Sequence, residues 1–260
     1  MPVCSGAPSG LFAELAALDG VPAAVERARR AVDRLRAHRV LRRRAEDVSA
    51  ESALHGARAS AALEGADLPL EVLRGTVTAA GRFPADVDAV VQGALRVAAE
   101  SGRLAGVWER APLQALARLH SLAATDLVAD RESLGRPVPA AAPRLASLAA
   151  ALSTGTAAPG LVVAAVVHGE VAAAGAFPVA GRLVARGAFR LTLVTRGLDP
   201  KALSVPEVGF AELGRDAYDA GLQAYADGGA AGIAVWIDHC ADAVVLGARE
   251  GTAICESMQR

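Results

Sequence analysis

Arg182 and Arg186 stand four residues apart, just after Gly181. On a helix that spacing is one turn, so the two guanidinium groups share a face, and a helix starting near Leu183 also aims its free backbone N–H groups at that side. This is chemistry for a phosphate or a carboxylate. His168 and Glu170 are the groups able to move a proton, although a histidine on so apolar a helix reads first as a hydrogen-bonded core residue. His239 beside Cys240 has the composition of a thiolate-activating pair, but neighbours at i,i+1 diverge on a helix. Lys201, the single lysine, lies in a polar stretch from Asp199 to Gly209 that either lines the same cleft or simply connects helices.

Other chemistries lack their residues. Cys4, Cys240 and Cys255 are odd in number and share no CxxC or Cys/His ligand spacing, which argues for buried or free thiols in a reducing compartment and against a metal site. There is no GxGxxG, no GxxxxGK[S/T], no GxSxG and no HExxH. A net charge of −1 supplies no global field for nucleic acid or anionic membrane, and nine aromatic residues are too few for a base-stacking platform.

The elements that must position these groups read as helices. The chain has 62 Ala and 26 Arg among 260 residues, a bias that suggests a GC-rich bacterial genome and favours helix. An all-α bundle of about nine helices is expected. A short helix covers Leu11 to Leu18. One long basic amphipathic helix is expected from Val21 to Leu63, its nine arginines between Arg27 and Arg44 interleaved with Glu26, Asp33, Glu46 and Asp47 as a solvated or dimer-facing surface. Further helices are expected over 69–79, 86–99, from Pro112 through Leu122, 145–152, 161–174, 184–194, 210–226 and 233–258, with an extended loop over 130–143. No repeat of 20–50 residues is present. The most apolar stretch, 157–184, is broken by Pro159, His168, Glu170, Pro178 and Arg182 and falls short of a membrane span. Met1 to Ala16 lacks a positive region ahead of an apolar stretch, so a cytoplasmic location is expected.

The segment Ser60-Ala-Ala-Leu-Glu64-Gly65 resembles the inhibitory segment [S/T]xxxE[G/N] of Fic-domain proteins, in which a helix ends by presenting a glutamate to a nucleotide-phosphate site. Ser60, Glu64 and Gly65 match at the required spacing, and the same pattern also describes an ordinary helix C-terminus. The order of later elements adds to the resemblance: Leu119-His120, Gly135-Arg136-Pro137, Val166-Val167-His168-Gly169-Glu170, Tyr218-Asp219-Ala220-Gly221-Leu222 and Trp236-Ile237-Asp238-His239. It covers roughly residues 45–258, and implies an N-terminal helical extension (1–45) ahead of a Fic-like helical domain (46–260).

The family signature HPFx[D/E]GNGRxxR is where this chain departs. Aligned without a gap, Gly175 to Arg186 match it at Phe177 and Arg186 alone. The resemblance assigns the signature histidine to deprotonating a target hydroxyl, the acid to Mg²⁺, and the arginines to phosphates. Gly175 takes no proton and Val179 binds no metal, and loss of a positioned base alone costs about 10²–10⁴ in rate. The resemblance therefore implies a pseudoenzyme, or a ligand- or partner-binding module, with Glu64 paired to Arg186. It implies a nucleotide or phosphate ligand at Gly181, Arg182 and Arg186, or a protein partner; separately, so apolar a composition admits a homodimer through the helices. The alternative is an enzyme of different chemistry acting on a nucleotide or phosphorylated metabolite in the same cleft, with His168 or Glu170 as base.

Overall fold

No face of the segment from Leu161 to Val171 is polar enough to meet water, and the chain buries all of it. An element apolar all round belongs at the centre of a larger core. In the computed structural model, which describes residues 10–76 and 87–259, this segment is the middle of α8 (Gly160–Ala173), and everything described around it is helical, with no strand.

Alongside α8 runs α9 (Gly181–Thr195), and the two form a partition between two apolar clusters. On one side lie α1 (Leu11–Ala16), α2 (Val21–Arg36), α10 (Pro206–Leu213), α11 (Arg215–Asp227) and α12 (Ala230–Ser257), meeting α8 through Leu161–Val166 and α9 through Phe189 and Leu193. On the other lie α5 (Ala89–Arg110), α6 (Pro112–Ala124) and α7 (Ala142–Ser153), meeting Val167 and Val171 of α8 and Leu183, Val184, Ala188 and Leu191 of α9. α3 (Leu41–Leu63) crosses from one to the other and carries α4 (Leu70–Thr76) on its outer side. α12 is long and apolar enough to cross a bilayer by length and composition, yet Trp236, Ile237, Cys240, Ala241 and Val244 are fully buried in the first cluster.

The single helix expected over Val21–Leu63 is two. α2 stops at Arg36 and α3 starts at Leu41, with His38 N–H donating to the Leu35 carbonyl and Val40 N–H to His38 Nδ1. The buried positions explain the break: Ala24, Ala28, Ala31 and Leu35 keep helical spacing, but Leu41 follows Leu35 by six residues and on a straight helix would lie about 120° off the stripe. The turn lets both α2 and α3 lie on α12. Arg27 reaches Asp238 and Asp242 of α12, Arg44 reaches the Met258 carbonyl, and Arg29 pairs with Glu26 and Asp33, so much of the arginine run is spent within the protein.

Three other expectations change. The helix expected over 210–226 is α10 and α11, divided at Gly214 (φ +94°), and the last four residues of the expected polar loop 199–209 are the start of α10, with Pro206 in its first turn. The loop 130–143 contains two short 3₁₀ turns, and Pro143 already belongs to the first turn of α7. The helix expected over 86–99 begins at Ala89, capped by the Asp88 side chain accepting from Val90 N–H, and runs on to Arg110; Asp86 and Cys4 lie outside the described residues. Twelve α-helices are present among the described residues, and residue 45, the expected domain boundary, falls inside α3.

Close helix contact is built on glycine where α10 meets α12. A Cβ at Gly209 would stand 2.0 Å from the Ala243 carbonyl oxygen, and the obstacle is backbone. Gly209→Ala is expected to lower stability by roughly 1–3 kcal/mol, the usual cost of overpacking, whereas Gly102→Ala, into open space on α5, leaves stability unchanged or raises it by up to about 1 kcal/mol. Urea unfolding of both variants checks this; equal midpoints would mean that the α10–α12 contact is looser than described.

Candidate functional site

The last turn of α3 is closed by a Schellman motif. Gly65 N–H donates to the Ala62 carbonyl and Ala66 N–H to the Ala61 carbonyl, with Gly65 at φ +91°, a conformation that favours glycine. Glu64 is the C-cap residue, and its own N–H bonds the Ala61 carbonyl, so the Ser60 carbonyl is left without its usual helical donor. Ser60 and Glu64, one turn apart, face the same way. What they face is Arg186.

Arg186 lies in the second turn of α9 and is 1% exposed. Its Nε donates to Ser60 Oγ (2.7 Å), Nη2 to the Ser60 carbonyl (3.0 Å) and to Glu64 Oε1 (2.7 Å), and Nη1 to the Tyr218 hydroxyl oxygen (3.3 Å). Burial pushes its pKa down, but Tyr218 and Glu64 outweigh that and leave it raised. The negative end of the α3 dipole adds to the same effect. All three guanidinium nitrogens are thus engaged, and Glu64, still about one-fifth exposed, closes the arginine from the solvent side.

Tyr218 extends the network inward. Its hydroxyl accepts from Arg186 and forms a hydrogen bond with His168 Nε2 (2.7 Å). His168 is fully buried among Phe189, Phe210, Tyr218 and Trp236, and its Nδ1 has no hydrogen-bond partner among the described residues. Glu170 is 1% exposed and held by Arg144 and by the Tyr225 hydroxyl (2.7 Å). Neither group opens on the face where Glu64 meets solvent.

The other candidate residues are distributed as follows. Arg182 is 37% exposed, binds Asp219 Oδ1 (2.7 Å) and lies over the Tyr218 ring with its Cζ 5.8 Å from the centroid; the Arg186 Cζ is 5.7 Å from the same centroid. Gly181 opens α9, preceded by Ala180 in the left-handed conformation (φ +57°), a strained position for alanine where the gap-free alignment puts a signature glycine. Gly175 and Val179 are exposed. Phe177 is buried and stacks on His120 (centroids 4.4 Å apart), whose Nδ1 accepts from Gly135 N–H, and Val138 N–H donates to the Ala176 carbonyl. The Leu119-His120, Gly135-Arg136-Pro137 and Gly175–Gly181 segments therefore meet. Lys201 goes elsewhere, into a groove of about 1110 Å³ between α3 and α5, lined also by Arg42, Arg43, Leu54 and Leu95 and by none of Glu64, Arg182 or Arg186. Cys240 is fully buried and its pKa is pushed well up by burial, the opposite of thiolate activation, while His239 stacks on Trp236.

The sequence reading gave no role to Tyr218, Asp219, Arg215 or Arg144. The one signal for the first three was Gly214, which starts α11 and sets their phase. Mg²⁺, which the family resemblance implies, does not fit the residues present: Val179, which the gap-free alignment puts at the acid position, offers no ligand, Glu64 and Asp219 are each paired with arginine, and no three metal-ligating side chains gather among the described residues.

No family model matches this chain and no curated protein does. Among solved structures it is similar to the 2.70 Å crystal structure of a Fic family protein from Desulfovibrio desulfuricans G20, with a TM-score of 0.70 and 18% sequence identity over 88% of this chain and 74% of that one. The chain has a Fic-like helical fold.

Burial, reinforced by the charge of Arg186, holds the His168 pKa well below the ordinary histidine value. The unfolded chain takes up that proton near pH 6.5 while the folded protein does not. The sign follows: the contribution is fully present above pH 6.5 and is lost below it, at up to about 1.4 kcal/mol per pH unit. Urea unfolding between pH 7.5 and 5.5 is expected to show this loss, and His168→Gln, which keeps a hydrogen-bonding group for Tyr218, to show a shallower one. An unchanged slope in the variant would mean that His168 is protonated in the fold.

Proposed function

We propose that this Fic-like fold carries an anion-binding site closed by its own glutamate, and that the protein works as a ligand- or partner-binding module without ordinary AMP-transferase activity. The observation that carries the reading is the Arg186 guanidinium, held by Ser60, Glu64 and Tyr218 in a protein with glycine at the signature-histidine position and valine at the acid position.

A buried cation aligned by a helix C-terminus is preorganised for a phosphate or carboxylate, and Glu64 supplies that carboxylate from within. An incoming anion has to displace Glu64, whose partial exposure leaves it a way out. The Ser60 carbonyl, Ser60 Oγ and Tyr218 then hold the guanidinium in place, so the site opens without Arg186 moving. Nothing at Gly175 or Val179 would abstract a proton or hold a metal once the anion is in. The alternative of an enzyme with another base loses support, because His168 is committed to Tyr218 and Glu170 to Arg144 and Tyr225.

The test is thermal unfolding with ATP, ADP or inorganic pyrophosphate, with and without Mg²⁺. Glu64→Gly is expected to be less stable than wild type without ligand and to regain stability with one of these anions, by about 2.7 kcal/mol at 100 times the dissociation constant. Adding Arg186→Lys, which keeps the charge but loses the fork, is expected to abolish the gain. No stabilisation of Glu64→Gly by any of the three would overturn the anion-site reading, and Mg²⁺-dependent AMP transfer to protein by wild type would overturn the non-catalytic one.

A further inference from the structure

Asp219 follows Tyr218 directly on α11, so it stands at the rim of the Arg186 network rather than inside it. Its Oδ1 is 2.7 Å from Arg182 Nη1 and its Oδ2 is 4.0 Å from Arg215 Nε. One carboxylate thus spans two arginines on two helices. Arg182 also lies over the Tyr218 ring that Arg186 shares. Arg215 points back toward the end of α3: a Cβ on Gly65 would meet its Nη1 at 4.0 Å. Three guanidinium groups, from α9 and from the first turn of α11, therefore gather around the turn that carries Glu64; Glu64 is hydrogen-bonded to Arg186, and Asp219 is ion-paired with Arg182 and, at longer range, with Arg215.

We propose that Asp219 is a second internal counter-anion of this site. The arginine cluster is then closed by two carboxylates from separate helices, and an anion that opens it must carry charge at two centres to replace both. The inference rests on the anion-site reading above and adds Asp219 and Arg215 to it. Glu64 guards the buried arginine. Asp219 keeps Arg182 and Arg215 neutralised and turned toward each other across α11, so an anion with one charged centre replaces one carboxylate and leaves the other latched. With three cations against two carboxylates, the closed site still has one positive charge in excess to draw an anion in.

Inorganic pyrophosphate and orthophosphate are the probes, at fixed ionic strength, with Kd measured by calorimetry for wild type, Glu64→Gln, Asp219→Asn, the double variant, and Arg215→Gln in the Glu64→Gln background. Freeing a half-exposed ion pair is worth roughly two- to five-fold in affinity. Pyrophosphate is expected to bind Glu64→Gln, to bind the double variant tighter by that factor, and to bind the Arg215→Gln combination more weakly; orthophosphate affinity is expected to change less than pyrophosphate affinity at each step. Unchanged pyrophosphate affinity on adding Asp219→Asn overturns this inference and leaves the anion site standing, whereas no binding to any variant overturns both. A measurement independent of Glu64 is phenylglyoxal labelling read by mass spectrometry. In the otherwise native protein, Asp219→Asn is expected to raise labelling at Arg182 and Arg215, and equal labelling overturns the latch.

Discussion

An arginine with its guanidinium out of water is the constraint around which the rest of this structure is arranged. Taking such a charge from solvent costs several kcal/mol after relaxation, and the cost is offset only where every donor finds an acceptor in good geometry. Arg186 comes close to that condition, with four hydrogen bonds for its five N–H groups, made from three sides: Glu64 and the Ser60 hydroxyl, the Ser60 carbonyl at the end of α3, and the Tyr218 hydroxyl from α11. Each partner is on an element that has to end or turn in the right place. α3 must stop at Glu64, which Gly65 ensures, and α11 must begin at Arg215, which Gly214 ensures. The packing of α3, α9 and α11 against one another is thus fixed by one side chain's hydrogen-bonding demands as much as by apolar burial.

Much of this was written locally in the sequence. Ser60, Glu64 and Gly65 could be read either as a resemblance to an inhibitory segment or as a helix C-terminus, and in the structure a single motif is both: the Schellman turn is what turns Ser60 and Glu64 onto one face. The arginine spacing in α9 and the buried character of α8 were equally legible, because each depends on period alone. The break at 37–40 was not, since neither proline nor glycine marks it and the evidence for it is a phase slip between Leu35 and Leu41 that shows only once burial is known. Lys201 was placed by chain proximity to α9, but the intervening turn, held by Asp199 on the backbone N–H groups of Leu203 and Ser204, carries it to the α3–α5 groove. Tyr218 and Asp219 depend on where α11 starts, and treating 210–226 as one helix hides their phase.

Gly175 and Val179, at the surface, and Arg186, in the interior, follow different physical rules. A solvent-facing base or metal ligand can be replaced with no penalty to folding, and both positions are exposed. A buried ion pair is different, because removing one partner strands the other at a cost of roughly 3–5 kcal/mol, a large share of a domain's stability. A fold that once positioned a phosphate would therefore keep Glu64 and Arg186 for stability alone, and the pair by itself separates a working site from a structural remnant poorly.

The rim separates them better. Arg182, Arg215 and Asp219 are half-exposed to exposed, and ion pairs of that kind contribute about 0–1 kcal/mol, so the fold imposes almost no requirement that they converge. Ala180 points the same way. It opens α9 in a left-handed conformation that alanine adopts only with strain, in a loop whose Ala176 carbonyl and Phe177 ring are tied to the neighbouring Val138 and His120. Strain and unneeded charge convergence meet at the same end of α9 that holds the buried arginine. Stability accounts for the interior of this site and asks little of its edge, which is where the binding proposed above would act.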